Sequence, residues 1–258
     1  MGLLEDWLSF TDRLLATGVS VISTGVVDLA EESRADPKVL CLLLLTRTMS
    51  HVKAVRALAK VGRTLEARIL ARNCFENSFY VARLAKDGNK FVMEMLEDEK
   101  KRRVARGQLL FEHQLVMEDE TESKFRQWMK DHKGWAKGET LSPKGIVRKT
   151  SIEKSYVFYS ELSVDAHPST DTLSRYLLPA DEQGRPGIDL EPPLNPEELV
   201  DTLNLNACAV LGVLFGVNEV MEAEASHLLT DLANEYQELE RRGRERTDKR
   251  EGGERGVQ

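Results

Sequence analysis

The sequence predicts an all-α protein, a multi-helix bundle with long charged helices and a proline-rich excursion before its C-terminal helices. Three observations lead to this fold class. Apolar residues recur at three- and four-residue steps over long segments, which is the periodicity of an amphipathic helix. No run of alternating strands and no internal repeat is visible. The 258 residues are 41% hydrophobic, which is enough for a sizeable core.

Three helices are predicted in the first third of the chain. The first runs from Leu3 to about Ser33 and is interrupted by "RADPK", because Pro37 can open a helix but cannot continue one. The second runs from Pro37 to about Val61, and its stretch "VLCLLLLT" is apolar on nearly all sides, which indicates a central position. The third is "TLEARILARNCFENSFYVARLAK", which ends at the turn residues "DGN".

The middle of the chain is predicted to be more exposed. From residue 90 to about residue 132 the sequence is charged, which predicts one long exposed helix or an antiparallel pair with a bend near "MEDETES". The segment "TSIEKSYVFYSELSVDA" predicts a helix that ends at about Ala166, because Pro168 disfavours the α conformation at the preceding residue. Residues 178–196 hold five of the eight prolines and predict a surface excursion or a short hairpin.

A long apolar helix is predicted after the excursion. Asn195 can cap this helix, and Pro196 lies in its first turn. Gly212 and Gly216, four residues apart, would let another helix approach closely. The end of the chain has almost no apolar residue and is predicted to be disordered. The predicted organisation is an N-terminal amphipathic helix (1–36), a helical bundle domain (37–240) and a disordered charged tail (241–258).

Charge and cysteine content restrict the classes of function. The net charge is −7, so no general attraction to nucleic acid or to an anionic membrane is expected. The three cysteines lie far apart in apolar helical stretches, which is typical of reduced core thiols in a cytosolic protein. "MGLLEDWLSF" has no basic region followed by an apolar run, so no export signal is expected. These features predict a cytoplasmic protein without a membrane partner.

Neither a metal site nor a cofactor is expected. The sequence has no C-x-x-C pair, no Cys/His cluster at zinc spacing and no paired histidines at helical spacing. The basic run "EKKRRVAR" at 99–106 could contact phosphates, but acidic residues one turn earlier favour ion pairing on an exposed helix. The run also has no aromatic residue on which a base could stack. Nucleic-acid binding is therefore only a minor alternative.

The third helix carries a polar stripe on its otherwise apolar surface. Arg68, Arg72 and Glu76 follow one another at four-residue steps, and Phe75 and Phe79 border them. Burying these charges costs several kcal/mol for each ion unless they are paired. One interpretation is an internal network in which Arg72 pairs with Glu76 and Arg68 pairs with an acid elsewhere. The other is a binding site for an anionic or phosphate-bearing ligand, which two arginines would favour.

A second polar set occurs in "YSELSVDAHPS". Tyr159, Ser163 and His167 recur at four-residue steps, with Tyr159 at the edge of the face that Ser163 and His167 share. Hydroxyl groups and an imidazole could satisfy the donors and the carboxylate of the Arg/Glu stripe. Alternatively, the two helices frame a pocket in which His167 is an acid or base, Tyr159 a donor and Arg72 an anion clamp.

These two motifs resemble those of a known family. R-x3-R-x3-E in "ARILARNCFEN" and Y-x3-S-x3-H in "YSELSVDAHPS" resemble the domain-of-unknown-function family numbered 5677 from about Val39 to Leu178. The resemblance implies an all-helical, cytoplasmic bacterial protein and brings no established activity. "RGQLLFEH", with Arg106 and His113, is similar to the active helix of HEPN-type ribonucleases of defence and toxin systems, although Gly107 stands where Asn, Asp or His is usual.

Two functional hypotheses follow from the sequence. In the first, the chain is a structural or interaction module that associates with itself or with a protein partner through its helices, including the Gly212/Gly216 face. Arg68, Arg72, Glu76 and Ser163 would then fix the helices or bind an anionic ligand. In the second, it is a HEPN-like ribonuclease or hydrolase that uses His167 as acid or base, Tyr159 as donor and Arg72 as charge stabiliser.

Overall fold

The computed structural model describes residues 2–25, 27, 35–113, 119–132, 134, 138–148, 150–190 and 195–254. Over these residues the fold is a helical bundle, which confirms the predicted all-α class. A short 3-10 turn, Glu153–Ser155, precedes α7, and two short antiparallel strands follow α8. The elements are α1 (Leu3–Thr24), α2 (Pro37–Lys60), α3 (Thr64–Asp87), α4 (Asn89–Glu112), α5 (Asp119–Asp131), α6 (Pro143–Val147), α7 (Tyr156–Asp165), α8 (Thr170–Ser174), β1 (Leu177–Leu178), β2 (Gly187–Ile188), α9 (Pro196–Met221) and α10 (Ser226–Glu254).

The bundle is organised around α3. This helix packs against α2, α9 and α7, and α1 covers another part of α9. Fully buried apolar side chains fill the space between them, among them Phe75 and Phe79 of α3 and Leu203 of α9. Burying each such side chain stabilises the fold by about 1.5–3 kcal/mol. The core therefore fixes which faces of α3 remain for polar contacts.

The predicted starts of α2 and α9 are confirmed by their caps. The Asp36 carboxylate accepts hydrogen bonds from the first backbone N–H groups of α2, and Pro37 opens the helix. The Asn195 side chain accepts from the N–H groups of Glu197 and Glu198 at 3.0 and 3.2 Å. Each cap satisfies backbone donors that have no partner inside the helix.

The two glycines of α9 let α3 approach closely, as predicted. A Cβ atom on Gly216 would lie 2.6 Å from Cγ1 of Val81, and one on Gly212 would lie 3.5 Å from Cβ of Ser78. This face is thus covered inside the chain and cannot form the self-association surface considered above. By length and composition alone, α9 is the one helix in the described residues that could cross a bilayer, and 61% of its most apolar window is buried in the bundle.

The N-terminal helix is shorter than the sequence predicts and packs into the bundle. Helix α1 ends at Thr24 rather than near Ser33, because the chain is extended at Gly25; residues 28–34 lie outside the described part. Trp7 of α1 is buried in the common core, with its ring 5.8 Å from that of Tyr236, so α1 belongs to the bundle.

Helix α10 continues to Glu254, and ion pairs one turn apart join Arg241 with Glu238 and Glu245, and Arg244 with Glu240. The disordered tail expected from residue 241 onwards stays a prediction.

The charged middle segment forms the antiparallel pair rather than one long helix. Gly107 of α4 lies against Phe125 and Met129 of α5, and the rings of Phe111 and Phe125 are 5.2 Å apart. Of the segment "MEDETES", at which the bend was predicted, residues 117 and 118 lie outside the described residues, and residues 119–123 form the first turns of α5. The proline-rich segment forms the predicted short hairpin, in which β1 pairs with β2; residues 191–194 are likewise not described.

Candidate functional site

The polar stripe of α3 faces α7 and the first turns of α9. Arg68, Arg72 and Glu76 lie on one side of α3, and each of them forms a hydrogen bond with a side chain of α7. Arg68 is only 6% exposed, which is unusual for an arginine. Its charge must therefore be compensated inside the protein.

Arg68 is held by carboxylates from two helices. Its Nε donates to Asp165 Oδ2 at 2.6 Å and its Nη2 to Glu161 Oε1 at 3.2 Å, both on α7. Its Nη1 donates to Asp201 Oδ2 of α9 at 3.4 Å. Burial alone would lower the pKa of Arg68, but the hydrogen bonds and charges of its carboxylate partners outweigh burial and raise it. The guanidinium thus ties α3 to both α7 and α9.

A second arginine, Arg175, extends this network towards the hairpin. Its Nη2 lies 2.6 Å from Glu198 Oε1 and 3.3 Å from Asp165 Oδ1, so Asp165 is shared by two guanidinium groups. The network nevertheless contains more carboxylates than arginines. The Asp201 side chain is 49% exposed, so it is only partly desolvated. This partial desolvation, followed by repulsion from Glu161, raises the pKa of Asp201 although Arg68 opposes this shift.

Arg72 contacts the hydroxyl groups predicted to face it. Its Nε donates to Ser163 Oγ at 3.0 Å, its Nη2 donates to the Tyr159 hydroxyl, and its Nη1 lies 3.2 Å from Glu76 Oε1. The guanidinium carbon also lies 4.6 Å from the centre of the Tyr159 ring, within the range of a cation–π interaction. These contacts confirm the predicted pairing of Arg72 with Glu76.

Tyr159 connects the arginine to the carboxylate. Its hydroxyl donates to Glu76 Oε1 at 2.9 Å, while Ser163 Oγ donates to the Tyr159 backbone carbonyl at 2.7 Å. Burial, the hydrogen bond to Glu76 and its negative charge raise the pKa of Tyr159 to about 12, against the opposing effects of Arg72 and Ser163. At neutral pH the phenol is therefore protonated and acts as a donor.

His167 does not join the polar cluster. Helix α7 ends at Asp165, Ala166 is its C-cap, and the His167 side chain is exposed beyond it. On the helix itself, Tyr159 is buried and Ser163 is half-buried. The structure thus brings together five of the six predicted site residues, in two adjacent clusters, and leaves His167 apart.

A cavity between α2, α3 and α4 lies beyond this cluster. It has a volume of about 330 Å³ and is bounded by apolar side chains together with Tyr80, Asp98, Glu99 and Arg102. Asp98 is buried, and its carboxylate already accepts two hydrogen bonds, from Arg102 Nε at 2.6 Å and from the Leu141 N–H at 2.7 Å. None of the six predicted site residues lines this cavity.

Three further features concern metals, thiols and the basic run. Among the described residues, no group of three or more His, Cys, Asp or Glu side chains is placed to hold a metal ion. Burial raises the pKa values of Cys41 and Cys74 to about 12, so both remain thiols at neutral pH. In the basic run of α4, Arg102 pairs with Asp98 and Arg103 with Glu99, as the preceding acids predict.

The acidic partners of Arg68 were not identified from the sequence. Glu161 and Asp165 lie one helical turn apart within the quoted "YSELSVDAHPS", and Glu198 and Asp201 occupy the first turns of α9. The four-residue spacing of Glu161 and Asp165 is a sequence signal from which this acidic pair could have been predicted. Nothing local in the sequence indicated that α9 would bring its acids to the same arginine.

The fold and the cluster define the class of protein: a helical bundle in which a buried ionic and hydroxyl network joins three helices. Residues 38–185 match the family described as "Family of unknown function (DUF5677)", and the chain belongs to that family. The comparison with curated proteins and the comparison with solved structures each found no significant match.

Proposed function

We propose that this protein is a non-enzymatic interaction module, in which the polar network fastens α7 and the segment after it to the bundle. One observation carries the proposal. The donors of Arg68 and Arg72 are directed at side chains of the protein itself, from α3, α7 and α9. A guanidinium prepared for substrate would instead direct donors into an open cavity.

The charge balance supports a structural role over binding of an anion. The arginines of the network number three, and they face five carboxylates: Arg68, Arg72 and Arg175 against Glu76, Glu161, Asp165, Glu198 and Asp201. An anionic ligand would have to displace carboxylates that already satisfy the arginines, and it would add to an excess of negative charge. Anion binding is therefore less well supported than a structural role for the arginines.

The enzymatic alternative is a HEPN-like ribonuclease or hydrolase in which His167 is the acid or base. It requires His167 to act beside Arg72, yet the imidazole is exposed beyond the end of α7 while Arg72 is engaged with Ser163 and Tyr159. Arg106 and His113, the other pair considered, are exposed on α4 and at its C-terminal cap.

The proposal is tested by incubating the purified protein with a mixed panel of RNA and nucleotides. We expect no turnover by the wild type, and we expect Arg72→Ala to lower the melting temperature because it removes a half-buried network. Turnover that is lost in His167→Ala, with an unchanged melting temperature, would show that the protein is an enzyme. Because His167 is exposed, this substitution should itself leave the fold intact.

A further inference from the structure

Exposed apolar side chains are concentrated in one short part of the chain. Among the described residues, 14 large hydrophobic residues are exposed, and eight of them lie within residues 157–190. Single exposed apolar residues are normal, but a concentration of them indicates an interaction surface. The eight are Val157, Phe158, Val164, Leu173, Leu177, Leu178, Ile188 and Leu190.

The hairpin places two of these residues on one face, and a third follows directly after the strand. Leu177 is directly opposite Ile188 in the antiparallel register, so their side chains project from the same side. Leu190 lies in the bend two residues after Ile188, and its side chain is also exposed. Ile188 and Leu190 are 71% and 82% exposed, which leaves an uncovered apolar strip.

The hairpin also has unpaired edges. The described sheet contains only β1 and β2, so each strand has a neighbour on one side alone. An unpaired edge presents backbone N–H and C=O groups to which an extended segment can add as a further strand. Apolar side chains on one face then select for alternate apolar residues in the added strand.

The segment before the hairpin is held to the bundle. The Thr172 hydroxyl of α8 donates to the Val164 carbonyl of α7 at 3.1 Å, and at the base of the hairpin the Asp189 N–H donates to the Tyr176 carbonyl at 2.8 Å. Arg175, one residue before Tyr176, is held by Glu198 of α9. The polar network therefore presents the apolar strip in a defined position, which lowers the entropy that a partner must lose on binding.

The charge around the strip identifies the chemistry of the partner. The hairpin itself, residues 177–190, contains three acidic residues and one basic residue, a formal net charge of −2. Arg185 is engaged with Asp181 across the hairpin turn, so it adds little positive potential. A symmetric contact between two copies would bring this acidic surface against itself, which is unfavourable. A basic partner is complementary to it.

We propose that the exposed apolar strip of the β1–β2 hairpin, formed by the strand pair Leu177 and Ile188 and by Leu190 after the strand, binds an extended protein segment in which basic residues alternate with apolar ones. The segment adds as a strand to the hairpin edge, and its apolar side chains cover the strip. Its basic side chains meet the acidic surroundings. This inference rests on the proposed interaction role and names the partner class for it.

The probe is a short fluorescein-labelled peptide that alternates Lys with Val and Leu, and binding is measured by fluorescence anisotropy on the full-length protein. We expect saturable binding that weakens with added salt, and none by a matched peptide with Glu in place of Lys. Ile188→Ser together with Leu190→Ser should weaken binding at least about tenfold, since both substitutions remove apolar surface that the added strand would cover. The control is Val19→Ser together with Leu43→Ser, which changes two exposed apolar residues elsewhere.

The outcomes separate this inference from the function it rests on. Absence of peptide binding, or equal binding by Ile188→Ser/Leu190→Ser and by wild type, overturns the docking site. The interaction role is tested separately, by the RNA and nucleotide panel. A dimer in light scattering that Ile188→Ser/Leu190→Ser converts to monomer also overturns it, because the strip would then bind a second copy. Turnover in the panel would instead overturn the interaction role itself.

Discussion

Replacing Arg68 by alanine should strongly destabilise the protein. Arg68 is 6% exposed and compensates Asp165, which is itself buried, so the substitution leaves a buried carboxylate with less positive charge around it. Removing one partner of a buried ion pair costs about 3–5 kcal/mol. Arg175 stays 3.3 Å from Asp165 and compensates part of the charge, so we expect the lower end, about 3 kcal/mol.

The assay is chemical and thermal unfolding followed by circular dichroism. For a chain of this size about 3 kcal/mol corresponds to a fall in Tm of about 6–12 °C. The matched control is Arg103→Ala, which removes an exposed pair with Glu99 on α4 and should cost less than about 0.5 kcal/mol. If Arg68→Ala were no more destabilising than Arg103→Ala, the network would not fasten the helices and the reasoning would be refuted.

Three further predictions follow from the packing and from the raised pKa values. Gly216→Ala should destabilise the fold by about 1–3 kcal/mol, because the new Cβ would clash with Val81. Gly212→Ala should be neutral or stabilising, because its Cβ has room beside Ser78. Equal effects of the two substitutions in unfolding experiments would contradict the close contact between α9 and α3. Asp201 has a raised pKa in the folded state, so folding loses stability as pH rises through that pKa. Asp201→Asn should therefore raise Tm at pH 7 but not at pH 3, and a lower Tm at pH 7 would contradict this. Tyr159, with a pKa of about 12, should stabilise the fold below pH 10 and lose that contribution as pH rises towards 12. Absorbance titration of the phenolate groups should show one high-pKa tyrosine fewer in Tyr159→Phe than in the wild type. An unchanged titration curve would count against the contact with Glu76.

The sequence was informative wherever a local signal determines the structure. Pro37 and Asn195 marked two helix starts because helix initiation depends on residues next to one another. The stripe of Arg68, Arg72 and Glu76 was predictable from helical periodicity. The contact of Arg72 with Ser163, 91 residues away, followed from the need to satisfy a guanidinium between two helices.

The remaining features depend on tertiary arrangement or on the end of a periodic pattern. Asp201 is 133 residues from Arg68 and reaches it only because α9 crosses α3 there, and no spacing rule spans that distance. His167 was assigned to the cluster by extending a four-residue repeat, yet the helix that defines the repeat ends at Asp165. The hairpin was recognised from its prolines, but its exposed apolar face required the strand register.

The central claim is that the Arg68 and Arg72 network holds α7 against α3 and α9. Backbone amide hydrogen exchange of residues 156–165, compared between wild type and Arg68→Ala, tests it most directly, since exchange measures the free energy of local opening. We predict that these amides lose protection in Arg68→Ala by more than the amides in the centre of α3, such as that of Phe75. Unchanged protection of α7 relative to α3 would contradict the claim.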